Sequence, residues 1–239
     1  MRGSIIRFGI LDIMSIIIDK LVHSRRKTVA LIIQADGKLT VRAPMRMSGI
    51  EVRKFVQNHE AWIRKNQDRL KSSPPLPEKV FQEGELFMFM GQEYPLTIVK
   101  HQRPALILLD TKFQLSFSKL HSARQEFINW YKTQARTAIF KRVDFFANQH
   151  KFKYTKIQIS SARTRWGSCS SNGTLSFSWR LVIAPPEIVD YVVLHELVHT
   201  QIKNHSKKFW LRLSEILPEY KMRVRWLKEN GKYVTLNVN

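Results

Sequence analysis

The side chains best suited to chemistry in this sequence are three histidines and one glutamate that lie close together near residue 200. His195, Glu196 and His199 form the pattern His-Glu-x-x-His, and His205 follows six residues after His199. The chain contains eight histidines, and three of them fall within these eleven consecutive positions. This clustering indicates a metal-binding role rather than a purely structural one.

The spacing of the first two histidines matters only on a helix, and the flanking sequence predicts one. Pro185 and Pro186 precede the segment, and proline suits a first helical turn because its missing N–H would be unpaired there. Apolar residues then continue on most sides of the segment as far as Ile202. Residues four apart on a helix project side by side, so His195 and His199 can share one zinc ion at about 2.0–2.1 Å.

The glutamate and the third histidine complete the hypothesis of a catalytic site. Glu196 points to a neighbouring direction on the same helix, where a carboxylate can act as general base on a zinc-activated water. A catalytic zinc needs a third protein ligand and one open position. On a continuous helix His205 would lie roughly 80° from the other two histidines. We therefore expect a bend at 203–204, with Asn204 in a left-handed position and Ser206 capping the next helix.

The wider sequence around these residues resembles a known family. The matching segments are 165–169 (RWGSC), 179–181 (WRL), 184–186 (APP), 191–199 (YVVLHELVH), 204–210 (NHSKKFW), 218–220 (PEY), 226–228 (WLK), 25–28 (RRKT) and 41–44 (VRAP). They are similar to segments of the YgjP-like zinc metallopeptidases, which are relatives of the SprT and WLM zincin-like proteins. The metzincins share the ligand spacing but carry glycine three residues after the second histidine, where this chain has Ile202.

The resemblance extends over nearly the whole chain and implies a zincin-type catalytic half, a zinc cofactor and hydrolysis of protein or peptide substrates. By match to the family motif, His195, His199 and His205 would be the zinc ligands and Glu196 the catalytic residue. Glu215 and Glu219 are alternatives for the third ligand, because other zincins take a glutamate from a helix after the motif.

A segment between two predicted strands is a candidate for substrate binding. Zincin-like peptidases hold an extended peptide against an edge strand above the metal, which requires free backbone groups and side-chain pockets. Gly167 permits close backbone approach and Trp166 could form the wall of a pocket, although core packing explains Trp166 equally well. Cys169 as a fourth ligand would close the site and make it structural. Tyr220 could donate a hydrogen bond to a developing oxyanion, or simply pack on the last helix.

The composition excludes a disordered, a disulfide-stabilised and a membrane-spanning protein. The 239 residues are 44% hydrophobic, which is enough for a sizeable core. The single cysteine, Cys169, rules out an intramolecular disulfide and is typical of a reducing compartment. The apolar run 8–18 is interrupted by Asp12, is shorter than a membrane span and lacks a small-residue cleavage site. We therefore expect a cytoplasmic protein without a membrane partner.

The charge is the second strong feature of the sequence. Lys and Arg number 40 and Asp and Glu number 19, which gives a formal net charge of +21. Such an excess attracts polyanions, so nucleic acid is a candidate partner, although no base-reading motif is present. The alternative function is therefore a basic nucleic-acid-binding protein with a structural or vestigial zinc site. The intact Glu196 argues against a vestigial site, and the sequence does not predict an oligomeric state.

The fold class expected for the chain is α+β. We predict an N-terminal extension over 1–19, a β-rich region with one long helix over 20–118, and a zincin-like catalytic region over 119–239. The resemblance implies that the catalytic region contains a small twisted sheet and a long helix that supports the HExxH helix.

Local patterns predict the individual elements. Ser48 and Glu51 form a capping-box pattern that opens a helix reaching about Leu70, and 72–77 is a proline-rich linker. Alternating apolar residues over 84–99 and 105–117 predict the short strands of a meander.

In the catalytic region, Ser122 and Gln125 open a second helix that reaches about Asn148. Segments 154–160 and 174–183 are predicted to be strands.

Overall fold

A computed structural model of the chain describes residues 16–34, 36–71 and 78–236. Most of the predicted extension 1–19 and the whole predicted linker 72–77 lie outside these described residues. Internal contacts divide the chain into two compact units, Met1–Pro75 and Leu76–Asn239. This division by contacts falls inside the predicted linker, whereas the functional division between 118 and 119 stays a prediction.

The protein is an α+β protein, as its sequence predicts. The described residues form three small sheets and six α-helices, with most strands in the first half of the chain and most helices in the second. Within those residues, no helix combines the length and apolarity needed to cross a membrane.

The first unit is built on a three-stranded sheet. It contains β1 (Lys20–Ser24), β2 (Ala30–Ile33) and β3 (Leu39–Pro44) in the order β1-β3-β2. The central strand β3 runs parallel to β1 and antiparallel to β2. Because β3 is covered on both edges, its apolar residues are the most buried of the sheet, and Leu39 and Val41 are fully buried.

Two helices complete this unit where the sequence predicts one. The capping box of α1 (Gly49–Asn58) is confirmed, because the Ser48 side chain accepts from the Glu51 N–H and the Glu51 carboxylate accepts from the Ser48 N–H. His59 then leaves helical geometry, with its N–H donating to the carbonyl three residues earlier, and α2 (Glu60–Lys71) follows. The interruption keeps Ile63 of α2 and Val52 of α1 in the same core.

The second unit begins with a four-stranded sheet whose order differs from the predicted meander. The strands β4 (Leu86–Phe89), β5 (Gln92–Val99), β6 (Leu106–Leu109) and β7 (Lys112–Ser116) are ordered β4-β5-β7-β6. The strand β7 is parallel to β5 and antiparallel to β6. The meander is wrong because β7 carries the fully buried Phe113 and Leu115 and therefore occupies an inner position, which leaves β6 at the edge.

The long helix α3 (Ala123–His150) supplies the main apolar surface of this unit. Its buried residues recur at helical spacing and include Phe127, Tyr131, Ala135 and Ile139. Ser122 precedes the helix as predicted, but its hydroxyl donates to the Lys119 carbonyl at 3.2 Å rather than capping α3. A 3₁₀ turn that runs directly into α3 explains this difference.

A three-stranded sheet follows α3 and leads to the HExxH helix. It contains β8 (Lys156–Ser160), β9 (Gly167–Cys169) and β10 (Thr174–Ser178) in the order β8-β10-β9, so β9 is an edge strand. The strand predicted over 174–183 ends at Ser178, and a 3₁₀ turn covers 179–183. Three helices then end the chain: α4 (Pro186–Gln201), α5 (Lys207–Ile216) and α6 (Tyr220–Asn230).

Two contacts fix the N-terminal half of α4. Gly91, in the turn between β4 and β5, has a φ of +77° and lies so close to Pro185 that an added Cβ would come within 2.8 Å of the proline ring. On the other side, Arg142 of α3 donates two hydrogen bonds, of 2.5 and 2.8 Å, to the Asp190 carboxylate. The helix that bears the histidines is therefore anchored at positions ten and five residues before His195.

Candidate active site

The helix α4 presents His195 and His199 on one face, as the spacing predicts, and ends at Gln201. It ends earlier than the sequence predicts. Ile202 already has extended geometry (φ −127°, ψ 102°), and Asn204 is not among the described non-glycine residues with positive φ. Ile202 explains the early end, because its side chain packs against the core while its carbonyl oxygen accepts a hydrogen bond from His199 Nδ1 at 2.9 Å.

The turn after α4 brings the third histidine to the other two. His205 Nε2 lies 3.0 Å from His195 Nε2 and 3.1 Å from His199 Nε2. The three imidazoles form the one group of histidine, cysteine or acidic side chains in the described residues that could hold a metal ion. His199 is buried, His195 is half-buried and His205 is exposed, so the group opens to solvent on one side.

The protonation states of the histidines suit metal binding. His199 Nδ1 donates to the Ile202 carbonyl, so in the neutral ring Nε2 carries the lone pair that faces the other histidines. Burial, together with the neighbouring His199 and His205, lowers the pKa of His195 to about 3. Burial also lowers the pKa of His199. Both rings are therefore neutral near pH 7, which is the form that binds a metal.

The spacing of the three nitrogens fits a zinc ion. Two imidazole nitrogens bound to the same tetrahedral zinc at about 2.0–2.1 Å lie about 3.3 Å apart. The observed separations of 3.0 and 3.1 Å are close to that value. Three histidines with one open side also match the donor set of a catalytic zinc rather than a closed structural one.

Two aromatic residues of α5 support the histidines, and neither was assigned to the site from the sequence. The fully buried Phe209 places its ring centroid 4.5–4.9 Å from the rings of all three histidines. Trp210 stacks on His205 and donates from Nε1 to the His205 carbonyl at 3.1 Å. The exposed His205 is therefore held by Phe209 and Trp210, which follow it by four and five residues on α5.

Tyr191 is a further residue of the site that sequence reasoning missed. Its hydroxyl lies 3.5 Å from His195 Nδ1, the ring nitrogen opposite the one that faces the other histidines. Burial, with the nearby charges of Glu196 and Tyr220, raises the pKa of Tyr191 to about 12, so the hydroxyl stays protonated. Its position one helical turn before His195 is the pattern that could have identified it.

Glu196 is buried and has no hydrogen-bond donor among the described residues. Its side chain is only 6% exposed, in contrast to most acidic residues. Burial raises the pKa of Glu196 to about 7, while the positive charge of Arg165 acts to lower it. A carboxyl group with a pKa near neutrality can both accept and donate a proton at physiological pH.

The edge strand β9 lies directly against Glu196. A Cβ added to Gly167 would come within 2.6 Å of both Glu196 Cγ and Oε1, so the glycine permits the contact. Trp166, just before the strand, is half-buried and packs against Gly231 and the core. The structure thus brings Gly167 to the carboxylate and packs Trp166 against Gly231, which directly follows α6.

The remaining candidates lie around this centre. The Tyr220 ring stacks on Trp210, which places it one aromatic ring away from His205. Glu215 and Glu219 are exposed, and each forms an ion pair with an arginine of its own neighbourhood. In the described residues neither glutamate belongs to the group of histidines.

Cys169 also lies outside that group. Its thiol donates to the Ser170 carbonyl and lies 3.9 Å from Lys203 Nζ, and burial raises the pKa of the thiol. A protonated thiol is a poor metal ligand.

An HExxH helix, a third histidine beyond a bend and an edge strand beside the glutamate are together typical of metallopeptidases. A comparison with protein-family models gives the same class: the model described as YgjP-like, metallopeptidase domain, matches residues 27–230. The chain therefore belongs to the YgjP-like family. A search of curated proteins gives no match.

Proposed function

We propose that the protein is a zinc-dependent metallopeptidase in which His195, His199 and His205 bind the zinc ion and Glu196 is the general base. The observation that carries this proposal is the convergence of three Nε2 atoms, with separations of 3.0 and 3.1 Å, next to a buried glutamate on the same helix. The family membership supports the same class of reaction.

The proposed roles follow from where each group lies. A bound zinc ion would acidify a water molecule and polarise the carbonyl of the scissile peptide bond. Glu196 takes a proton from the attacking water on its carboxylate and passes it to the leaving amine. The low dielectric around this carboxylate raises its proton affinity, so the glutamate can hold the proton between the two steps.

Other residues position these groups. The Ile202 carbonyl holds His199 through Nδ1, and Trp210 holds the backbone of His205. Tyr191 contacts the remote nitrogen of His195. Such partners of metal-binding histidines fix the ring orientation, and their loss typically weakens metal affinity by about 10–100-fold.

The substrate is proposed to be an extended peptide paired with β9. The strand is at the edge of its sheet and passes the catalytic carboxylate at Gly167. Peptide strands add to such edges through main-chain hydrogen bonds. We propose that Tyr220 donates to the developing oxyanion, and that Trp166 contributes to substrate binding through the position of β9.

The test compares two variants with the wild-type protein. We expect Glu196→Gln to retain zinc and lose hydrolysis, because the amide cannot take the proton of the water. We expect His199→Ala to lose both zinc and hydrolysis. Zinc content is measured by atomic absorption, and hydrolysis with casein and quenched peptides, with a chelator and zinc re-addition as controls. Full activity of a zinc-loaded Glu196→Gln protein would refute the assignment of the general base.

A second candidate function rests on the net charge of +21. A basic nucleic-acid-binding protein with a structural metal site would show salt-dependent binding to DNA or RNA and no zinc-dependent hydrolysis. A buried carboxylate beside the histidines disfavours this candidate, because a purely structural site gains nothing from it. Binding to duplex DNA, single-stranded DNA and RNA across a salt series, run beside the hydrolysis assay, separates the two functions.

We also propose a cytoplasmic location, since the single cysteine suits a reducing compartment. We assign catalysis to residues 119–239, which contain every residue proposed for the mechanism. Fractionation of cells with an antibody against the protein tests the location.

A further inference from the structure

The edge of β9 that faces away from β10 has free backbone groups at two positions. Ser178 N–H donates to the Trp166 carbonyl, and Ser170 N–H donates to the Thr174 carbonyl. In an antiparallel pair the direction of the backbone groups alternates, so residues 166, 168 and 170 point to β10. Gly167 and Cys169 therefore direct their N–H and C=O groups to the free edge, where a peptide would pair.

The chain that enters β9 carries a cluster of arginines. Arg180 donates from Nη1 to the Ser161 carbonyl at 3.1 Å, and its guanidinium lies 4.3 Å from the Trp179 ring centroid. These contacts hold the segment that bears Arg163 and Arg165, which are both exposed. Burial and the charge of Arg163 lower the pKa of Arg180.

The other end of β9 is contacted by a lysine from the turn after α4. Lys203 Nζ donates to the Ser170 carbonyl at 3.2 Å. Both ends of this three-residue strand are thus positively charged. Residues 165 and 170 are five positions apart, which spans roughly 16 Å of extended chain.

These cations have no carboxylate partner in the described part of the chain. None of the ion pairs found there includes Arg163, Arg165, Arg180 or Lys203. The positive charge of Arg165 acts on the carboxyl group of Glu196, which the proposed mechanism already uses. Like charges held together without a counter-charge are stabilised when an anionic group binds between them.

We propose that the edge of β9 selects peptides with acidic residues on both sides of the scissile bond, with Arg163 and Arg165 contacting one side and Lys203 the other. This inference rests on the proposed peptidase function and names its substrate class. The carboxylates of the substrate form ion pairs with these side chains while its backbone pairs with Gly167 and Cys169.

An acidic peptide suits this surface better than a nucleic acid does. The cations flank a strand edge that offers alternating N–H and C=O groups, and a peptide backbone complements both kinds of group. A phosphodiester backbone has acceptors but no donors, so it would leave the free carbonyls of the edge unpaired.

The test uses the full-length, zinc-loaded protein and three libraries of quenched peptides. Each library has a randomised central pair of residues, flanked on both sides by Glu, by Gln or by Lys. We expect kcat/KM to be about tenfold higher for the Glu library than for the Gln library, the factor that two exposed ion pairs give together. The Lys library should be cleaved more slowly than the Gln library, and the preference should weaken as salt is added.

Two double variants with the same change in charge locate the effect. Arg165→Gln/Lys203→Gln should reduce the ratio of Glu to Gln cleavage to about twofold. Lys132→Gln/Lys141→Gln, which removes two exposed lysines of α3, should leave the ratio unchanged. An equal fall in both double variants would show a general effect of net charge and would overturn the inference.

The remaining outcomes separate the inference from the proposed function. Equal cleavage of the Glu and Gln libraries overturns the inference and leaves the peptidase function standing. Absence of cleavage of every library removes the peptidase function, and the inference with it. A single-stranded 20-nucleotide DNA that competes fully with the Glu library, and depends on Arg165 and Lys203, would assign the cations to phosphate and overturn the inference. A DNA that does not displace the library supports it.

Discussion

The contact between Gly167 and Glu196 allows a sharp test with a single methyl group. In Gly167→Ala the added Cβ would meet Glu196 Cγ and Oε1 at 2.6 Å and Cδ at 2.9 Å. An ordinary contact at such a position is about 3.4–4 Å, so either the carboxylate or the strand has to move by about 1 Å. The φ of Gly167 is not in the left-handed region, so alanine adds no backbone strain there.

The expected cost can be divided between catalysis and stability. A displacement of about 1 Å in a catalytic group lowers the rate by about 100-fold. Overpacking of a buried contact lowers the free energy of unfolding by about 1–3 kcal/mol. Because the three closest atoms to the added methyl group all belong to Glu196 and none to a histidine, we expect zinc content to remain at the wild-type value.

Three quantities are measured for the wild type, Gly167→Ala and Gly49→Ala. They are kcat/KM with a quenched peptide, the zinc content per chain, and the free energy of unfolding in urea. Gly49→Ala is the matched control, because a Cβ there meets nothing within 4 Å and the residue lies in the first unit. The control should keep wild-type activity and gain a few tenths of a kcal/mol in stability. Activity of Gly167→Ala within threefold of wild type, in a folded and zinc-loaded protein, would refute the close approach of β9 to the carboxylate.

Three further predictions concern the support of the site. Asp190→Asn should lower the free energy of unfolding by about 1 kcal/mol, because it breaks the partly exposed ion pair with Arg142. Urea unfolding of Asp190→Asn, of Arg142→Gln and of the double variant should show that the two losses are not additive. Gly91→Ala should lower the free energy of unfolding, measured in urea, by about 2–4 kcal/mol, because of its positive φ and its contact with Pro185. The control Gly37→Ala has only the backbone strain of a positive φ and should lower it by about 1–2 kcal/mol. Removal of metal with a chelator should lower the Tm, and added zinc should restore it. The stabilisation free energy should grow with the logarithm of the zinc concentration and reach about 4 kcal/mol at 1,000 times Kd, and a Tm that does not respond to zinc would contradict a metal-binding triad.

The parts of the site that the sequence predicts are those set by local geometry. His195 and His199 lie on one face of α4 because residues four apart on any helix do so. The capping box of Ser48 and Glu51 is likewise a pattern of four consecutive residues. The position of His205 near the other two histidines is also expected from local sequence, because a helix that ends before residue 205 allows the following turn to bring His205 back to the end of the helix.

The parts that the sequence does not predict depend on contacts between distant segments. The order β4-β5-β7-β6 is decided by which strand buries more apolar surface, and the alternating pattern is the same for an inner and an edge strand. The contact of Gly167 with Glu196 joins residues 29 positions apart, and only the family resemblance and the glycine itself pointed to it. Tyr191 was missed for a different reason, because a tyrosine on a helix rich in apolar residues looks like part of the core.

The environment of Glu196 favours the proposed catalytic metal site over a structural one. Burial of a carboxylate without a hydrogen-bond donor costs several kcal/mol in the charged form, which is why its pKa rises to about 7. A structural site needs its three histidines and a fourth ligand, and it would be more stable with an apolar residue at this position. This buried carboxylate lies next to Gly167, which allows the edge strand β9 to approach it closely. Both features have a use in peptide hydrolysis, where an extended substrate lies along the strand and the glutamate must carry a proton near neutral pH.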